Sequence, residues 1–254
     1  MKFWTSDDGT KIAYEVFGEP SNPAVILQHG FASNEQAEWK ATGIATALAQ
    51  GGRYVIVMHA RGHGASDKPH DQAFYGEERM ALDLRGVADH EGLSQYALGG
   101  YSMGAVISLL VACADQRVQR LLVGGVGEGI LTQGGVDTRY LPKELIAQAL
   151  LADDANDLPP QALVFRAFAE STGGDLKALA AQATAAYQKG MPLDKITATT
   201  MVAAGNDDPL ASNPSVLADA IPGAQCFVEA GDHMTVFAND AFRTAITQFL
   251  LASS

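Results

Sequence analysis

Short apolar runs alternate along this chain with stretches whose apolar residues recur every three to four positions. That pattern predicts strands alternating with helices, and so a mostly parallel sheet flanked by helices, an α/β fold class. Lys2–Thr5 and Lys11–Phe17 read as the first strands, joined by a turn at Asp8-Gly9. The second strand alternates, with Ile12, Tyr14 and Val16 on one side and Lys11, Ala13 and Glu15 on the other, so an antiparallel opening hairpin is expected. After Pro23 comes a continuous apolar run at 24–27, then others at Tyr54–Met58, Tyr96–Tyr101 and 118–123, as expected of strands buried on both faces. Helices are predicted over 39–50, closed by Gly51-Gly52, over 80–88, and over Met103–Ala114.

The texture changes between Val126 and Thr199. No strand pattern occurs there. Helical patterns occur instead at Lys143–Leu151, 161–169 and 176–188, the last with Leu176, Leu179, Ala180, Ala183 and Tyr187 on one face. Strand texture returns at 200–204 and 225–228, and a final helix is predicted over 239–251. The chain therefore divides into a sheet-forming core, 1–126 with 199–254, and a helical insertion, 127–198. Its 254 residues suit one large core rather than two ordinary domains, and 47% hydrophobic with 18% charged residues argues against disorder.

A net charge of -12 disfavours nucleic acid and anionic membrane surfaces as partners. The uncharged stretch 92–114 is long enough to suggest a membrane span, but Gly99, Gly100, Ser102 and Gly104 in its middle fit a strand, a sharp turn and a helix better. Cys113 and Cys226 are too few for a disulfide framework and read as two buried small hydrophobes. The N-terminus shows no apolar signal segment, so the cytoplasm is the expected location.

Gly100-Tyr101-Ser102-Met103-Gly104 matches G-x-S-x-G between a predicted strand and a predicted helix. A serine on such a strained turn has an exposed hydroxyl, and the helix N-terminus beneath it favours developing negative charge. A nucleophile of this kind is followed in the chain by an acid and then a histidine. Of the six histidines only His233 lies after Ser102, in a loop between the last strand and the last helix. The acid is expected at the end of the preceding strand, where Asp207 and Asp208 compete and spacing does not choose between them. An oxyanion hole needs two backbone N–H donors, expected from Met103 and from Phe31 in His29-Gly30-Phe31. His29 itself reads as a structural residue of that loop. No zinc-protease, P-loop or dinucleotide motif is present, and no Cys or carboxylate pattern completes a metal site around His59, Arg61 and His63. Neither cofactor nor metal is expected.

These motifs, together with Arg61-Gly62-His63-Gly64-Ala65-Ser66, resemble in their order the α/β-hydrolase superfamily, and the Gly-x-Ser-Met-Gly elbow resembles its serine esterase and enol-lactonase branch. The resemblance covers essentially the whole chain outside the insertion. It implies the α/β-hydrolase fold with the insertion as a helical cap. The family pattern Gly-x-x-Asp-Pro implies Asp208 as the acid, with Ser102 the nucleophile and His233 the base. Some relatives carry the acid after the preceding strand, where Glu128 stands. The family usually has an Asp where this chain has His59, which puts the local geometry in question but not the chemistry. The implied activity is hydrolysis of small carboxylic esters or lactones. The alternatives are a cofactor-free perhydrolase or haloperoxidase-like enzyme on the same triad, and a slow-turnover ligand-binding receptor.

Overall fold

A computed structural model describes residues 1–140, 142–153 and 158–252. Among them, eight strands form one sheet in the order β1-β2-β4-β3-β5-β6-β7-β8. Their ranges are β1 Lys2–Thr5, β2 Lys11–Phe17, β3 Ala24–Gln28, β4 Tyr54–Met58, β5 Tyr96–Tyr101, β6 Val118–Gly124, β7 Thr199–Gly205 and β8 Gln225–Glu229. The opening hairpin is antiparallel, as is the β2–β4 pair, and every pairing from β4 to β8 is parallel.

The runs read as strands buried on both faces are so because helices cover both sides. Val25 and Leu27 of β3 pack with Val55 and Val57 of β4 against α1 (Ile44–Gln50) and α9 (Asp240–Leu251). Ala24 and Ile26 point the other way, to α2 (Glu77–His90) and α3 (Met103–Ala114). This is the two-residue period of a strand, with both faces apolar. From β3 the chain moves outward to β4 and then returns to β5 on the other side of β3. The carboxyl ends of β3 and β5 thus flank a topological switch point, where open α/β sheets form a crevice.

Between β6 and β7 run α4 (Gly129–Thr132), α5 (Lys143–Leu151), α6 (Pro160–Ser171) and α7 (Leu176–Thr184). The expected cap segment 127–198 is described except at 141 and 154–157. Ala147, Leu150, Ala169, Leu179 and Ala183 of these helices form one apolar cluster with Ala32, and Phe31 packs against it. The insertion therefore rests on the loop after β3. Asp175 caps α7 through the N–H groups of Lys177 and Ala178.

Several expectations need correction. The helix predicted over 39–50 is two pieces: a π-helical turn at Gln36–Lys40, then α1, separated at Gly43, whose φ of 81° is left-handed. The helix predicted over 176–188 stops at Thr184, so Tyr187 lies beyond it. A short helix, α8 (Pro214–Asp219), follows β7 where none was expected. Cys113 is half-buried and Cys226 exposed, against the expectation that both are buried. Cys226 lies on β8, which forms the sheet edge and is largely exposed.

Candidate active site

Ser102 stands between β5 and α3 with φ 55° and ψ −118°, a backbone conformation that costs a non-glycine residue energy and is held by its surroundings. Its N–H donates to the Gly124 carbonyl at 2.8 Å. The flanking glycines are dictated by contact. A Cβ on Gly100 would lie 2.1 Å from the Gly104 oxygen, and one on Gly104 would lie 2.2 Å from the Gln28 oxygen. No larger side chain fits, because α3 starts directly against the ends of β5 and β3.

The loops after β7 and β8 are stitched together. Asp207 N–H donates to the Gly231 carbonyl at 3.0 Å, Asn206 N–H to the Glu229 carbonyl at 2.8 Å, and Gly231 N–H to Asn206 Oδ1 at 3.0 Å. This brings Asp208 Oδ2 to 2.7 Å from His233 Nδ1. The Asp208 side chain is fully buried, and its Oδ1 accepts from Leu210 N–H at 2.9 Å. A buried carboxylate here fixes the ring so that Nδ1 carries a proton and Nε2 is free to accept one. Asp207 points to solvent. Glu128 accepts from Arg139 and Asn213, both at 2.8 Å, and makes no contact with His233. Tyr101, which the sequence reading passed over as the variable position of the motif, donates its hydroxyl to the His233 carbonyl at 2.8 Å and lays its ring against the imidazole at 5.1 Å.

Phe31, Ser102, Met103 and His233 line one pocket of about 190 Å3, with apolar walls from Ile146 and Phe168 of the insertion. The histidines of the His-Gly-Phe and Arg-Gly-x-Gly loops do not line it. They tie the loops beneath it. His29 Nε2 accepts from Ala60 N–H and His63 Nε2 from Ala32 N–H, each at 3.1 Å. Burial holds both rings neutral, pushing His29 down to about 4 and His63 to about 3. Arg61 is buried in a two-point ion pair with Asp83, at 2.6 and 2.7 Å, and reaches Asp8 at 2.8 Å. His59, at the position of the expected Asp, accepts from Ala65 N–H at 3.2 Å and so supports the same turn. Glu15 and Glu35 flank it, and Lys40 Nζ lies 3.0 Å from Glu15. A cation therefore already occupies that carboxylate pair.

The serine turn, the buried carboxylate–imidazole pair and the switch-point location coincide with a match of residues 23–126 to the family described as alpha/beta hydrolase fold. The enol-lactonase from Burkholderia xenovorans LB400 has the same architecture, with a TM-score of 0.79 at 20% identity over 99% of this chain and 100% of that one. The chain has the α/β-hydrolase fold. It is also similar to Est816, described as an N-acyl homoserine lactone degrading enzyme, with 26% identity, a TM-score of 0.74, and coverage of 98% of this chain and 100% of that one. Epoxide hydrolase A of Mycobacterium tuberculosis is 33% identical over 100 residues, 39% of this chain and 30% of that protein. The chain spans about a third of the length of the curated epoxide hydrolase relatives it matches. No helix of the described residues is long and apolar enough to cross a membrane.

Proposed function

We propose that this α/β-hydrolase is a serine hydrolase of small carboxylic esters or lactones, with Ser102, His233 and Asp208 as its catalytic triad. The observation that carries this reading is a buried Asp208 carboxylate 2.7 Å from His233, whose ring shares a pocket with a serine on a strained elbow. His233 takes the Ser102 proton as Oγ attacks the substrate carbonyl. The Phe31 and Met103 N–H groups receive the oxyanion. His233 then protonates the leaving alcohol oxygen, and the acyl-enzyme is hydrolysed by a water that gives its proton to His233. Residues 127–198 act as the cap, on a core of 1–126 and 199–254. A serine at the elbow, where an aspartate would be needed to open an epoxide through an ester intermediate, argues against the chemistry named in Epoxide hydrolase A. The likeness to Est816 favours lactones within the substrate class.

Reaction with a fluorophosphonate probe tests the reading. We expect labelling of Ser102 in the native protein, and a loss of at least ~10³-fold in kcat on p-nitrophenyl esters in Ser102→Ala with the fold retained. Labelling at another residue, or full activity in the alanine variant, overturns it.

A further inference from the structure

Glu38 is a buried carboxyl in the pocket wall that the triad does not use. It projects from the π-helical turn Gln36–Lys40, a type of turn that often re-aims a side chain at functional sites. Both of its carboxyl oxygens lie 3.1 Å from the Gly30 nitrogen, whose N–H they accept. Gly30 immediately precedes Phe31, the proposed oxyanion donor. The carboxyl and the nucleophile lie on either side of the Gly30 backbone. A methyl placed on Gly30 would be 3.1 Å from Glu38 Oε1 and 3.2 Å from the Ser102 Cβ. An ionised carboxylate there would face the oxyanion that forms on attack by Ser102.

We propose that Glu38 works as a neutral acid that positions the Gly30–Phe31 turn, and that its ionisation shuts the site down at alkaline pH. This rests on the serine-hydrolase reading above. Its surroundings favour the neutral form. Burial pushes the Glu38 carboxyl up to about 8, against the smaller pull of Ser33 and of the Gly30 N–H. From the loop beneath, His29 and His63 are kept uncharged by burial and offer no cation. On its own turn, Lys40 is turned away to Glu15. From the ends of β5, β7 and β8, Tyr101 is neutral, the Asp208 charge faces His233, and Asp232 adds a further negative charge. Across the pocket, the Glu77 carboxyl is also raised by burial, while Asp137, held low by Arg139, and Lys143 bring opposite charges at the insertion's edge. A negative charge ~6 Å from the oxyanion, at an effective dielectric of ~20, slows its formation by on the order of 10²-fold.

A triad alone leaves a serine hydrolase active on the alkaline side once its histidine is neutral. The inference instead requires wild-type kcat/KM on p-nitrophenyl acetate, and the rate of fluorophosphonate labelling of Ser102, to fall above pH ~8 by about tenfold per unit towards a lower plateau. Glu38→Gln keeps the acceptor for Gly30 N–H without an ionisable group. It should lose the alkaline limb and outpace the wild type at pH 9.5. A role in packing alone would lower the rate evenly at every pH. Wild-type labelling that stays flat from pH 7 to 10 overturns the inference whether or not the variant folds, and so does an alkaline limb retained in Glu38→Gln. The absence of labelling at Ser102 at any pH removes the serine-hydrolase reading and this inference with it. Labelling with a flat profile removes this inference alone.

Discussion

The acid of the proposed triad is decided between neighbours that differ in direction rather than in chemistry. Asp207 and Asp208 sit side by side after β7, but one faces water and the other lies 2.7 Å from the imidazole. Asp208→Asn should lower kcat on a p-nitrophenyl ester by ~10³ to 10⁴-fold, because the amide spoils the ring tautomer and no longer stabilises the imidazolium. Asp207→Asn and Glu128→Gln should each stay within a few-fold of wild type, since neither side chain meets His233. A large loss in either would move the acid. At this scale the sequence was legible where a residue type is forced by contact, as at Gly100 and Gly104. It was not legible where an ordinary polar residue turns inward. Glu38 immediately precedes the helix predicted over 39–50 and belongs to no predicted element, and the π-helical turn is what aims it at the pocket. Tyr101 occupies a motif position open to any residue.

Among the elements that line the pocket without belonging to the sheet are the helices of the insertion. Phe165 and Phe168 on α6 both line the pocket, yet they pack differently. Phe168 joins the cluster resting on Phe31 and Ala32, and Phe165 joins a smaller one with Ala149 and Ala162. If a phenylalanine chiefly shapes the site, truncating it to alanine should shift the relative kcat/KM across a series of ester chain lengths by roughly 1–3 kcal/mol. If it chiefly holds the insertion together, alanine should cost about 3–5 kcal/mol of stability with the preference unchanged. We expect the first pattern at both positions, with a larger fall in melting temperature at Phe168, and the ester series measured beside thermal unfolding tells them apart. Element boundaries were readable from periodicity except where one glycine intervened. Gly43, with positive φ, ends the π-helical turn and starts α1, splitting what the apolar spacing joined. The three-to-four-residue spacing also carried the last helix of the insertion past Thr184, because Tyr187 happens to continue the pattern after the helix has ended.

Across the whole molecule, the buried titratable groups set how stability depends on pH. His29 and His63 have folded pKa values, about 4 and about 3, below those of a free histidine. The unfolded chain therefore binds more protons below pH ~6.5, and stability is lost as pH falls from there towards 3. Glu38 has a folded value of about 8, above that of a free glutamate. The folded state then binds more protons, and stability is lost as pH rises from ~4.5 to 8. Each of these three groups is buried and is worth on the order of 3–5 kcal/mol over its window. The two histidines outweigh the one glutamate where the windows overlap. The melting temperature should therefore peak near pH 6 and decline on both sides. Glu38→Gln should raise it at pH 8.5 and leave it unchanged at pH 4, and a variant that melts with the wild type at both pH values would contradict the assignment. The same buried polar network explains why the overall architecture was readable from motifs. The His-Gly-Phe and Arg-Gly-x-Gly segments tie one loop under another, which gives a physical reason for their occurring together.

The insertion between β6 and β7 also imposes a schedule on the newly made chain. β6 pairs with β5 on one side as soon as both have been synthesised, but its other edge waits for β7, which begins only after the whole insertion has emerged. At about 5–20 residues per second that interval is roughly 4–15 s on the ribosome. Throughout it, Leu121, Leu122 and Val123, buried in the finished protein, lie beside a row of unpaired backbone donors and acceptors. A nascent chain stalled after β6 has cleared the ribosome but before β7 is made would thus present an open apolar edge, with the serine elbow already encoded but the proposed acid and histidine still to come. The yield of folded protein should therefore depend on translation speed through the insertion more than on speed anywhere upstream.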